Sequence, residues 1–153
     1  MLKKLLIASF CLVMLIACVS ASDLISEDFD NFTVDVPSDA DFVQAAPAGT
    51  QWTSDANGNL VPLSLNPYWA DDNNGISLEY ADKEYKSMMN ERYNGSSLVS
   101  DEGNIHVFDI SSCEYNNDCQ YAVCVADGTH STVIICGNDL DTLTEIAKTV
   151  KFT

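Results

Sequence analysis

An apolar run from Leu5 to Val19, led by Lys3 and Lys4 and interrupted only by Ser9, decides which part of this chain is free to fold. A positive lead, a short apolar stretch and the small-residue ending Val19-Ser20-Ala21 have the form of a secretory signal. The run is shorter than the ~20 residues that a membrane-spanning helix needs. Residues 1–21 are therefore read as a signal peptide and residues 22–153 as one α+β domain outside the cytoplasm.

Two cleavage patterns overlap in the leader. Leu15-Ile16-Ala17-Cys18 fits a lipobox, in which Cys18 becomes a lipidated first residue. Val19-Ser20-Ala21 fits an ordinary signal-peptidase site. Cys18 also fits a plain apolar filler, and an uncleaved anchor is a third outcome. A lipid on Cys18 would tie the domain to a membrane without a spanning helix. Otherwise the domain is secreted.

Removing 21 of 153 residues leaves 132, enough for one domain with a real core. Five bases then stand against 23 acids, a net charge of −18. Such a surface repels nucleic acid and anionic lipid headgroups, so neither is an expected partner. Solubility or a salty exterior accounts for the charge, and cation binding is the sharper alternative. Like-charge crowding raises carboxylate pKa values in the folded state. Stability is then expected to rise as pH falls.

Four cysteines lie beyond the leader: Cys113, Cys119, Cys124 and Cys136. Disulfides persist outside the cytoplasm. The spacing contains no C-x2-C pair, which disfavours structural zinc. A hairpin centred near Asn116 sets Cys113 opposite Cys119, within disulfide range. A Cys113–Cys119 bridge is therefore expected, with buried free thiols as the alternative.

Phe32 to Pro37 alternates apolar and polar residues and reads as a strand. Asn57-Gly58 and Asp71-Asp72-Asn73-Asn74-Gly75 mark two hairpins. Tyr85, Met88, Met89 and Tyr93 fall at helical spacing, and Gly95 is a stop signal. Ile105–Ile110, Gln120–Val125 and Ser131–Cys136 read as antiparallel strands. Leu140, Leu143, Ile146, Ala147 and Val150 form one face of a final helix capped by Asn138 or Asp139. The expected fold is a single antiparallel sheet with a middle helix and a C-terminal amphipathic helix packed on it.

Three blocks carry a resemblance: Phe32-Thr-Val-Asp-Val-Pro37, Ile76-Ser-Leu-Glu-Tyr80 and Gly137-Asn-Asp-Leu-Asp-Thr-Leu-Thr-Glu-Ile-Ala-Lys-Thr-Val-Lys-Phe152. The chain resembles Mog1/PsbP-type αβα sandwich proteins, and also small secreted surface proteins of methanogenic archaea. The resemblance implies a shape and a non-enzymatic accessory or binding role. It assigns no functional residue.

Chemistry-bearing clusters are sparse. Neither Asx-rich loop carries the ligand pattern of an EF-hand. His106 and His130 with Asp127 form a candidate metal site, since two imidazoles and a carboxylate suit zinc or iron. The motifs of hydrolases, P-loop proteins and zinc proteases are absent from the sequence, and no cofactor is implied. Asn31-Phe-Thr33 and Asn94-Gly-Ser96 are N-glycosylation sequons. Trp52, Tyr68 and Trp69 are candidates for a sugar-stacking platform.

These features point to an exported, cell-surface-associated, non-catalytic protein with an interaction or structural role in the envelope, its partner an envelope component. An extracellular cation- or carbohydrate-binding module is the alternative. Protein isolated from its native host is expected to begin at Ser22 or at a lipid-modified Cys18. An intact mass that retains Met1 refutes export.

Overall fold

The computed structural model describes residues 23–63 and 66–153. The signal segment 1–21 and Cys18 lie outside the described residues. The elements run β1 (Leu24–Asp28), β2 (Phe32–Pro37), β3 (Val43–Gln44), β4 (Trp52–Ser54), β5 (Leu60–Pro62), β6 (Tyr68–Asp71) and β7 (Ile76–Ala81). Then come α1 (Tyr85–Arg92), β8 (Ser97–Glu102), β9 (Ile105–Asp109), β10 (Tyr121–Ala126), β11 (Thr132–Gly137), α2 (Leu140–Ala147) and β12 (Lys151–Phe152).

The described residues form three sheets. A seven-stranded sheet has the order β3-β6-β7-β11-β10-β9-β8. A three-stranded sheet has the order β1-β2-β12, and β4-β5 stands as a separate hairpin. Every pairing among the described residues is antiparallel. The expected α+β fold with a single sheet is therefore corrected to a mostly-β architecture, with three sheets and two eight-residue helices among the described residues.

The large sheet is covered on both faces because its central strands are apolar at successive positions. Val123 and Val125 of β10, with Val133 and Ile135 of β11, pack against Phe32, Val34 and Val36 of β2 and Leu143 and Ile146 of α2. The alternate residues Ala122, Cys124, Ile134 and Cys136 face Met88 and Met89 of α1 and Tyr93 just beyond it. Side chains of a strand alternate between faces, so each of these strands serves both cores.

The strands that the sequence pattern does not reveal share one physical trait: they bury little. β1 exposes four of its five residues and β8 exposes five of six. An element without a buried face shows no apolar period. β12 replaces the expected end of the last helix. Thr149 is the switch: its hydroxyl donates to the Ile146 carbonyl at 2.7 Å and accepts from the Asp35 amide at 2.8 Å. The chain is thereby handed to β2, where Phe152 pairs with Phe32.

The N-terminus of α2 agrees with expectation. Asp139 accepts from the Asp141 amide at 3.2 Å and from the Thr142 hydroxyl at 2.8 Å. Gly137 makes room for this helix. A Cβ there would lie 3.0 Å from the Leu143 side chain and 3.3 Å from the Gly75 carbonyl.

Leu143 is buried between α2 and the sheet. Leu143→Ala is expected to cost ~2–5 kcal/mol, by lost transfer energy plus a residual cavity. Urea denaturation measures it, and a loss under ~0.5 kcal/mol would mark a peripheral helix.

Candidate functional site

The β4–β5 hairpin belongs to neither larger sheet. Trp52 pairs with Pro62, Thr53 with Val61 and Ser54 with Leu60. Trp52, Ser54, Leu60 and Pro62 therefore share one face. Trp52 is 54% exposed and Leu60 71%. Leu63, just past the strand, is 60% exposed. Among the described residues, no other segment of this acidic chain presents a largely exposed Trp ring.

An isolated two-stranded hairpin is marginal in water, so this arm needs support at both ends. Its tip is tied by Asp55. One carboxylate oxygen accepts from the amides of Asn57 at 2.8 Å and Asn59 at 2.9 Å, and the other from Asn59 Nδ2 at 3.2 Å. The Asn59 bonds come first in holding the Asp55 carboxyl below its ordinary range. Gly58 closes the tip at φ +82°, a conformation that suits glycine.

The root of the arm is buttressed from two sides. Arg92 Nη1 donates to the Ala48 carbonyl at 3.1 Å, and Asn117 Oδ1 accepts from the Ala48 amide at 2.8 Å. Gly49 lies flat on the Tyr115 ring, where a Cβ would come within 2.7 Å. Arg92 is itself fixed by Glu79, Nε to Oε2 at 3.2 Å, and Glu79 is buried. Asn66 Nδ2 donates to the other Glu79 oxygen at 3.1 Å. A cleft of about 400 Å³ opens beside this root, walled by Thr50, Gln51, Leu63, Glu79, Lys83 and Arg92. Its charges are balanced in opposite-sign pairs, with Lys83 bonded to Glu91 at 2.7 Å and Arg92 to Glu79.

The residues expected to bind metal are not brought together. Asp127 is consumed by its own turn, accepting from the amides of Thr129, His130 and Ser131 and from the Thr129 hydroxyl. Those bonds, the Thr129 hydroxyl first, hold its carboxyl far below the usual range. His130 is exposed on that turn. His106 lies elsewhere on the sheet face, opposite Cys124. Its Nδ1 donates to Asp101 at 2.7 Å, and its ring stacks on Tyr85 at 3.7 Å with planes 6° apart. Among the described residues, no group of three His, Cys, Asp or Glu is placed to hold a metal.

Cys113, Cys119, Cys124 and Cys136 are all free, buried thiols in one core under α1. The expected Cys113–Cys119 bridge is not formed. The hairpin register is one cause: it is centred near Tyr115 rather than Asn116, so the two cysteines are not opposed. Burial pushes the Cys119 thiol up to about 11 and the Cys136 thiol up to about 12. The thiolate is the reactive form, so these groups are poor nucleophiles. The aromatic platform is not assembled either. Tyr68 is buried, and Trp69 packs edge-on to Phe29 and Phe32.

The exposed arm, the Arg92–Glu79 pair and the Tyr85–His106 stack have no signature in the sequence. The Asn57-Gly58 turn does mark the hairpin, but nothing marks which face of it lies bare. No protein-family model, curated protein or solved structure matches this chain.

Four acids bear on the expected pH dependence. Asp55, Asp82, Asp109 and Asp127 are all lowered, chiefly by local hydrogen bonds from Asn59, Tyr80, Ser111 and Thr129 respectively. A lowered folded pKa gives stability that is present above the unfolded value near ~3.9 and lost as pH falls. The melting temperature is therefore expected to fall below about pH 4. A rise from pH 7 down to pH 4 would mean that like-charge repulsion dominates after all.

Proposed function

We propose that this chain is an exported, cell-surface-associated, non-catalytic protein that docks on an envelope component through the β4–β5 arm. The observation that carries this reading is the bare apolar face of Trp52 and Leu60 on a rigidly rooted hairpin. Exposed aromatic and aliphatic anchors on a pre-organised element are what interface hot spots are made of. The partner is a surface with an apolar socket and a basic rim. Apolar contact supplies the adhesion, while the acidic chain steers toward positive potential.

A photo-crosslinking side chain placed at Leu60 tests this in the native host. It is expected to capture one envelope component, whereas the same probe at exposed Glu145 captures none. Trp52→Ser should abolish the Leu60 crosslink and leave the melting temperature unchanged, because Trp52 is largely outside the core. Equal capture from both positions, or capture indifferent to Trp52→Ser, would overturn the reading.

A further inference from the structure

The two sequons differ in what a glycan would meet. Asn31 is half-buried in the tight link between β1 and β2. Its amide donates to the Phe29 carbonyl at 2.8 Å, and its carbonyl accepts from the Thr153 amide at 3.1 Å. Thr33 of that sequon is paired on both sides, with Asp28 of β1 and Lys151 of β12. A sugar at Asn31 would have to share space with the strand that closes this sheet.

Asn94 meets nothing of the kind. It is exposed immediately after α1. The Ser96 amide donates to the Tyr93 carbonyl at 3.1 Å, closing a four-residue turn with Gly95 at φ +91°. Positive φ at the third position is the mark of a type II turn, and Gly supplies it without strain. Asn94 occupies the second position, on the outside of the bend.

The strand just beyond Asn94 gives the site a purpose. Strand β8 begins at Ser97 and is the last strand of the seven-stranded sheet, bonded among the described residues only to β9. Its other side is an open edge. Leu98 is 56% exposed and Val99 51%. An open edge with apolar side chains is a template for pairing with other chains. The far end of β8 carries the acids Asp101 and Glu102, and a bulge at Val99 interrupts the strand between Leu98 and Ser100. The near end, Ser97 to Val99, holds that bulge but carries no charged residue. At ~3.6 Å per residue at most, Asn94 lies within ~15 Å of Leu98.

We propose that Asn94 carries an N-linked oligosaccharide that covers the uncharged, apolar end of the β8 edge, a proposal that rests on the export of the chain. Asn94 Nδ2 forms a bond to the anomeric carbon of an oligosaccharide carried on a lipid phosphate donor. The bond from that carbon to the phosphate oxygen breaks. The lipid phosphate leaves with the electron pair, and the amide gives up one proton.

Glycopeptide mapping and N-terminal sequencing of the protein recovered from outside its native host test the proposal together. The Asn94 peptide is expected to carry a hexose-containing mass increment, lost in Asn94→Gln and kept in Asn31→Gln. A processed, exported chain with bare Asn94, or with sugar on Asn31 instead, overturns the proposal alone. An unprocessed chain retained in the cytosol overturns the exported reading and the glycan with it. For the covering role, exported Asn94→Gln should scatter light sooner than wild type at equal concentration. Adding Val99→Lys should restore the wild-type time course. Unchanged aggregation in Asn94→Gln overturns the role at the edge.

Discussion

All six residues of β11 are buried, and its side chains alternate into two cores on opposite faces of the large sheet. Val133 and Ile135 point toward β2 and α2, while Ile134 and Cys136 point toward α1. Each such side chain contributes roughly 1.5–3 kcal/mol by leaving water. The strand cannot slip by one residue without exchanging its two faces, so the register with β7 and β10 is firmly specified. The arrangement also restricts polar residues on the same layer. Thr132 is buried, and its hydroxyl donates to the Lys83 carbonyl at 2.8 Å. Glu79, one strand over, is buried only because Arg92 and Asn66 answer its charge.

That pair explains how a weakly amphipathic helix comes to be anchored. Polar clasps hold α1 at both ends. Tyr85, its first residue, stacks on His106, and Arg92, its last, bonds to Glu79. Between them only Met88 and Met89 are buried. Removing one member of a buried ion pair strands the other charge and costs ~3–5 kcal/mol, well above the value of the intact pair. Arg92 extends the clasp further, since its second contact, to Ala48, fixes the root of the hairpin arm. One guanidinium thus couples the core to the exposed apolar face of the arm.

Much of this fold is legible where burial imposes a period. The β10–β11 register about Thr129, with Cys124 opposite Ile134, is the one that the turn spacing predicts. The cap at Asp139 and the hairpin at Asn57-Gly58 are likewise readable, because local backbone chemistry alone sets them. β1, β8 and β12 are not readable. Their residues face water or span too few positions for a pattern, and sheet edges are paired by the tertiary fold. The candidate site is less legible still. A hairpin sequence does not say whether a sheet will cover Trp52, and the Arg92–Glu79 contact joins residues 13 apart through tertiary packing. The metal cluster fails for a related reason. Asp127 has the side chain of a free ligand, whereas Asx residues in turns are usually spent on their own backbone.

The surface chemistry resolves into two ranges. The full chain carries a net −16, and more if the leader with its two lysines is removed. Over the ~8–10 Å of a Debye length, two copies repel one another. At contact distance the arm offers the opposite tendency, since burying Trp52 and Leu60 against any apolar surface is favourable. A second copy must overcome the charge before it reaches the arm, whereas a basic-rimmed socket is drawn in by the same field. Acidity and apolar exposure therefore act together: the charge suppresses self-association of a surface that would otherwise be prone to it. The open β8 edge obeys the same logic at its far end, where Asp101 and Glu102 stand beside the unpaired backbone. Only the stretch from Ser97 to Ser100 lacks an acid of its own, and it is the stretch that begins three residues after Asn94.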